Sequence, residues 1–197
     1  TLHIVSTHIY LKQIFPYTLS GVLYYQGETD AENPEYYYML MEALIRDWRK
    51  NFENKELYFV ITQLPMYIDK DAEDDYSWAT IRADQLSIYE NIRNVSLLSL
   101  ADCGEYGNIH PTDKKTPGTR MGDLVLETYF NRDTMGKAMY PSEIYKDFDK
   151  IVIECNNTYG RIIVDDISDN DYVAEFEVAG LDGEFKKCGY SISEESI

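Results

Sequence analysis

The feature that most constrains this chain is a repeated order: a short apolar run, a polar loop, then a segment with helical spacing, three times over. Gly21-Val22-Leu23-Tyr24-Tyr25 is β-favouring and stops at the polar loop Gln26-Gly27-Glu28-Thr29-Asp30. Asn33-Pro34 then offers an N-cap with proline at the first helical position, and Met41, Ile45, Trp48 and Phe52 follow at spacings of four, three and four. A helix over Pro34 to Asn51 is expected. Leu57 to Leu64 is a near-continuous apolar run closed by Pro65, as in a strand covered on both faces. A second helix, Ser77 to Asn91, sets Trp78, Ile81, Ile88 and Ile92 on one side with Gln85 among them, so one amide is buried or faces a cleft. Val95 to Leu100 is the third strand and Pro117 to Phe130 the third helix, with Met121, Leu124, Val125 and Tyr129 in phase. Such alternation predicts an α/β fold: a three-layer α/β/α parallel sheet with its sites at the carboxyl ends of the strands. Chemistry is therefore expected in the loops after Tyr25, Leu64 and Leu100.

From about Tyr140 the texture changes. Lys150–Glu154, Gly160–Asp165 and Tyr172–Val178 are short β-prone pieces separated by turn residues, with no helical period. Residues 1–138 are read as one domain and 139–197 as a partial antiparallel β unit. Between the second strand and second helix, the run from Asp69 to Asp75 is too charged for a core and reads as a surface loop. It is a poor calcium loop, since its sixth position is Asp74 rather than glycine and its twelfth is Thr80 rather than glutamate.

Charge narrows the partners. With 35 Asp+Glu against 18 Lys+Arg, the formal charge is −17, which opposes a phosphate backbone and anionic lipid alike. Neither nucleic acid nor a membrane surface is expected as a partner. No apolar run approaches the roughly 18 residues that a membrane span needs, and the first ten residues lack the pattern of a signal peptide. Cys103, Cys155 and Cys188 are odd in number, far apart and without a C-x-x-C pair, so they read as buried thiols rather than a disulfide framework or zinc knuckle.

Of three histidines, only His110 falls in a loop that the fold favours, in Gly107-Asn108-Ile109-His110-Pro111 after the third strand. An imidazole there can carry a proton at neutral pH, or simply cap a helix at the surface. His3 and His8 read as structural, with no second ligand at zinc spacing. Gln26-Gly27-Glu28 closes the first strand: an amide and a glycine N–H there can donate to an oxyanion, and Glu28 can orient a histidine or hold a sugar hydroxyl. Turn chemistry alone accounts for the same three residues.

Five ordered blocks go further. GVLYYQGETD at Gly21–Asp30, LIRDWR at Leu44–Arg49, FVITQLP at Phe59–Pro65, WATIRADQ at Trp78–Gln85, and NIHPTDK at Asn108–Lys114 with GTR at Gly118–Arg120 resemble the sialate O-acetylesterase family of SGNH-type hydrolases. The similarity runs from about Tyr17 to Phe130. It continues loosely through Tyr145 to Phe185, where Phe176–Gly183 resembles the β region after that family's hydrolase core. The resemblance implies a flavodoxin-like SGNH sheet and hydrolysis of acetyl esters on carbohydrates, O-acetylated sialic acid first among them. A serine attacks the acetyl carbonyl, a histidine takes and returns the proton, and preorganised donors hold the oxyanion. By this resemblance His110 is the catalytic histidine, with Glu28 favoured to orient it. Gln26, Gly27 and Gln85 belong to the oxyanion or substrate pocket. No metal or organic cofactor is implied.

Two departures stand out. Many SGNH enzymes carry aspartate three residues before the histidine, where this chain has Gly107, with Asn108 at minus two; Asp102, Glu105 or a backbone carbonyl are the alternatives to Glu28. The family's Gly-x-Ser nucleophile block has no match between Thr1 and Ser20, so the serine is expected upstream of this chain and the isolated chain is expected to be inactive. Ser6, Ser20 and Cys103 are poor substitutes. Two other readings remain at this level: a non-catalytic carbohydrate-binding or interaction module on the same fold, and an esterase of acetylated xylan.

Overall fold

A computed structural model of the 197-residue chain describes residues 11–15, 17–67, 76–105, 107–160, 162 and 176–193. The chain divides into two compact units, Thr1–Ala138 and Met139–Ile197. His3, Ser6, His8 and the acidic run Asp69–Asp75 lie outside the described residues.

In the first unit β1 (Gly21–Tyr24), β2 (Tyr58–Thr62) and β3 (Val95–Leu98) form a parallel sheet in the order β1-β2-β3. Each strand is followed by a helix: α1 (Tyr37–Asn51), α2 (Ser77–Asn91) and α3 (Lys115–Thr128). Alternation along β2 explains why its run is apolar throughout. Phe59 and Ile61 point into one cluster with Met41, Ile45, Ile81 and Ile88, while Val60 points the other way, to Leu98, Leu100 and Leu124. Helices α1 and α2 thus cover one face and α3 the other, the expected three layers. Burying each of these side chains is worth about 1.5–3 kcal/mol, so the sheet is held from both sides.

Two helix starts differ from the sequence expectation. Pro34–Tyr36 is a 3-10 turn, the α-helix begins only at Tyr37, and the Asn33 side chain makes no capping bond. The third helix begins at Lys115 rather than Pro117. Asp113 Oδ1 accepts the N–H groups of Lys115 at 2.9 Å and Thr116 at 3.1 Å, which starts the helix early. Pro117 then falls in the first turn, where its missing N–H leaves no bond unmade. Among the described residues no helix is long and apolar enough to cross a membrane.

Among its described residues the second unit contains two antiparallel ribbons: β4 (Tyr140–Asp147) with β5 (Lys150–Asn156), and β6 (Phe176–Ala179) with β7 (Phe185–Cys188). The expected strand at Lys150–Glu154 lies within β5. Most of the expected pieces Gly160–Asp165 and Tyr172–Val178 fall outside the described residues. The sequence did not announce β4, because Pro141, Ser142 and Glu143 break its alternation and nearly all of it is exposed. The cysteines need a correction as well: all three are free and half-buried rather than enclosed, Cys103 at the edge of the cluster around Leu98 and Leu124, and Cys155 and Cys188 in the two-stranded ribbons.

Candidate active site

Because β1, β2 and β3 are parallel, the loops that follow them emerge at one edge of the sheet. The first carries Gln26-Gly27-Glu28. Tyr24 OH donates to Gln26 Oε1 at 3.0 Å, and Gln26 Nε2 donates to Asp30 Oδ2 at 2.8 Å. Gly27 N–H donates to Glu28 Oε2 at 2.9 Å. Gly27 is buried, and a Cβ there would stand 3.2 to 3.3 Å from Gln85 Nε2, Ile81 Cγ2 and Leu64 Cδ2. Close packing, then, is what asks for glycine.

Gln85 is fully buried. Its Oε1 accepts the Leu64 N–H at 2.9 Å and its Nε2 donates to Tyr37 OH at 3.1 Å, while Tyr37 OH donates to the Gln26 carbonyl at 3.3 Å. This amide braces the Gln26-Gly27 turn from beneath instead of presenting itself to a cleft. Burial, followed by Asp30 and Glu28, pushes the Tyr24 phenol up to about 12, and burial likewise raises Tyr37. Both phenols therefore stay neutral and keep their hydrogens for these bonds.

The loop after β3 carries His110. Glu105 closes it: Oε2 accepts Asn108 Nδ2 at 2.6 Å, and Oε1 accepts both the N–H and the hydroxyl of Thr112 at 2.5 Å. Asn108 Oδ1 accepts the His110 N–H at 3.0 Å. The hydrogen bonds from Thr112 hold the half-buried Glu105 carboxyl below its ordinary range. Met66 bonds the same loop through its N–H to the Cys103 carbonyl at 2.7 Å, and a Cβ on Gly104 would fall 2.1 Å from the Met66 carbonyl oxygen. Asp102 takes a bidentate bond from Arg120 at 2.5 and 2.6 Å, which lowers its carboxyl.

The three carboxylates considered for orienting His110 are thus placed. Asp102 belongs to Arg120, Glu105 to its own loop, and Glu28 to the Gly27 N–H. Among the described residues no hydrogen bond joins a carboxylate to the His110 imidazole, which is exposed.

Between the first and third loops lies a cleft of about 320 Å³, with Tyr25, Pro65, Cys103, Pro111, Asp113 and Arg120 in its wall. Tyr25 directly precedes Gln26 and Pro111 directly follows His110. Burial raises the Tyr25 phenol, and both Glu28 and Cys103 add to the effect. Burial also raises the Cys103 thiol, which disfavours a thiolate. Ser99, at the end of β3, donates its hydroxyl to Gln63 Oε1 at 2.9 Å, and Gln63 Nε2 donates to the Arg82 carbonyl at 3.1 Å. Sequence reasoning gave no role to Gln63, which only the FVITQLP block touched; it offered Glu105 as a partner for the imidazole, whereas the fold makes it the clasp of the loop, and it marked Tyr25 as a strand end without placing it in the cleft wall.

A three-layer parallel sheet with a glutamine-glycine turn and a loop histidine at its carboxyl edge fits an SGNH-like α/β fold, and a solved relative agrees. A carbohydrate acetylesterase from Xanthomonas citri superposes with a TM-score of 0.81 at 25% identity, over 93% of this chain and 42% of its own. Residues 4–130 match the family described as carbohydrate esterase, sialic acid-specific acetylesterase, and the chain belongs to that family. The sialate O-acetylesterase of Mus musculus is 30% identical over 138 residues, covering 61% of this chain and 25% of its own length. That of Homo sapiens is 29% identical over 136 residues, covering 60% and 26%. The matched region therefore spans about a quarter of the length of these curated relatives.

Proposed function

We propose that this chain is the histidine-bearing part of an esterase that removes acetyl groups from carbohydrates, with O-acetylated sialic acid as the leading substrate. The observation that carries the reading is the shared cleft: the residue before the Gln26-Gly27-Glu28 turn and the residue after His110 both line it. The family of the chain supports the chemistry.

His110 takes the proton from a serine hydroxyl as it attacks the acetyl carbonyl and returns it to the departing sugar oxygen; it then takes a proton from a water that attacks the acetyl-serine and returns it to the serine oxygen as acetate leaves. The serine comes from outside these 197 residues. Gly27 N–H and Gln26 Nε2 supply the donors for the tetrahedral oxyanion. For that, Glu28 must release the Gly27 N–H that it now holds, because a carboxylate beside a forming oxyanion opposes it. Turned away, Glu28 becomes free to accept a bond from the imidazole of His110. Gln85 and Tyr37 act as positioning residues that keep the turn in place. No step in this scheme calls on a metal or organic cofactor.

The test is the full-length protein with His110→Ala. Turnover of an acetylated sialic acid should fall about 10²–10⁴-fold, with unchanged thermal melting; near-normal turnover ends the proposal. A second reading, a non-catalytic carbohydrate-binding module, is favoured by one observation: the His110 imidazole has no hydrogen-bond partner among the described residues. Under it the unaltered full-length protein would bind the sugar and leave its acetyl group in place.

A further inference from the structure

The edge of the sheet opposite the candidate active site holds a second concavity, of about 680 Å³. It lies where α1 and α2 end and the chain turns into the amino ends of β2 and β3. Its wall carries five cations, Arg46, Arg49, Lys50, Lys55 and Arg93, against two acids, Glu42 and Glu53. In a chain of formal charge −17 with only 18 Lys+Arg, this is a local reversal of sign.

Two of the cations have structural employment. Arg49 donates to the carbonyls of Leu57 at 3.1 Å, Arg93 at 2.6 Å and Asn94 at 3.4 Å, and its guanidinium lies 5.7 Å from the Phe59 ring centre. Arg93 reaches Glu56 at 3.6 Å in an exposed pair. The negative end of the α1 dipole also favours cations in its last turn, which accounts for Arg49 and Lys50. It accounts for neither Arg46, a turn earlier, nor Lys55, beyond the helix. The side chains of Arg46, Lys50 and Lys55 make no ion pair or hydrogen bond among the described residues, although Glu42 and Glu53 stand on the same wall. Ile45 and Ile92 give the concavity an apolar floor, and its volume lies in the range of small-molecule sites.

We propose that this cleft binds a small polyanion, a ligand with two or more phosphate, sulfate or carboxylate groups on a compact frame. With Arg93 paired to Glu56, the wall keeps an excess of two positive charges, which sets the number of groups; the arginines supply forked donors to planar or tetrahedral oxyanions, and the lysines add point charge. The apolar floor receives the frame. This site is separate from the esterase chemistry and does not depend on it.

The experiment is isothermal titration of the full-length protein with tripolyphosphate, sucrose octasulfate and citrate in parallel at low ionic strength. At least one should saturate at one molecule per chain and weaken steeply with added salt; which one tells phosphate, sulfate and carboxylate apart. The double variant Arg46→Gln/Lys55→Gln should bind it at least tenfold more weakly with unchanged melting temperature and unchanged acetyl-ester turnover. Should that variant fold poorly, Lys50→Gln/Lys55→Gln serves the same purpose. The proposal is overturned if none of the three probes saturates, or if a folded variant binds as tightly as the parent. Preference for an acidic peptide over all three small probes would overturn it too.

Discussion

Strands β2 and β4 belong to the same chain and have opposite surroundings. Four of the five residues of β2 are buried, and the strand lies between two parallel neighbours under helices on both faces. Seven of the eight residues of β4 are exposed, and among the described residues it pairs only with β5. The difference teaches what a strand needs in order to matter for stability. Ladder hydrogen bonds exist in both, yet a two-stranded ribbon by itself is marginal in water, and covering layers supply the apolar burial. The second unit leaves Ile144, Ile151 and Phe185 exposed, and Phe148 is 90% exposed at the tip of its hairpin.

The comparison breaks most directly at matched aromatics. Phe59→Ala should cost about 3–5 kcal/mol in urea unfolding of the first unit, whereas Phe148→Ala should stay within about 0.5 kcal/mol. Equal losses would mean that the second unit has a core as tight as the first. Gly104→Ala comes next. Its new Cβ meets the Met66 carbonyl, so the His110 loop must shift; a loss of about 1–3 kcal/mol is expected, together with lower acetyl-ester turnover in the full-length protein. An intact melting curve with intact turnover would show that the loop tolerates the shift.

A pH titration gives a smaller effect. The folded Glu105 carboxyl lies below its ordinary value, so its contribution is full above that ordinary value and disappears as pH falls through the lower folded one. Melting temperature measured through that acid window should drop more steeply for the parent than for Glu105→Gln; superimposable slopes would remove Glu105 as the clasp of its loop. Smallest of all is Thr62→Val. Thr62 Oγ1 is buried without a hydrogen-bond partner among the described residues, so replacing the hydroxyl by a methyl should leave stability unchanged or raise it by about 1 kcal/mol. A clear loss in differential scanning calorimetry would reveal a partner for that hydroxyl.

How far the residues announced their own arrangement varied with the range of the interactions involved. Helix α2 appears at the limits that its sequence periodicity suggests, and β2 within the run from Leu57 to Leu64, because local spacing and apolar runs respond to burial on a face. The start of α3 departed by two residues because one carboxylate, Asp113, took two N–H groups, an event of side-chain geometry and not of periodicity. For the site, composition and order pointed to His110 and to Gln26-Gly27-Glu28, but not to how each is held. Gln85 illustrates this well: its spacing put it on the apolar face of a helix, and only the fold aimed its amide at Leu64 and Tyr37.

Taken alone, the order of residues determined three parallel strands, three helices between and after them, and which loops leave the carboxyl edge of the sheet. Those follow from apolar period and from the handedness of parallel connections, both properties of short stretches. The tertiary structure alone decided which carboxylate each group meets: Asp102 with Arg120, Glu105 with Thr112, Glu28 with the Gly27 N–H. It also gathered Arg46, Lys55 and Arg93 around one cleft. The reason is physical: hydrogen bonds and charge contacts act over a few ångströms between residues far apart in the chain, and nothing in their spacing records that distance until the layers close.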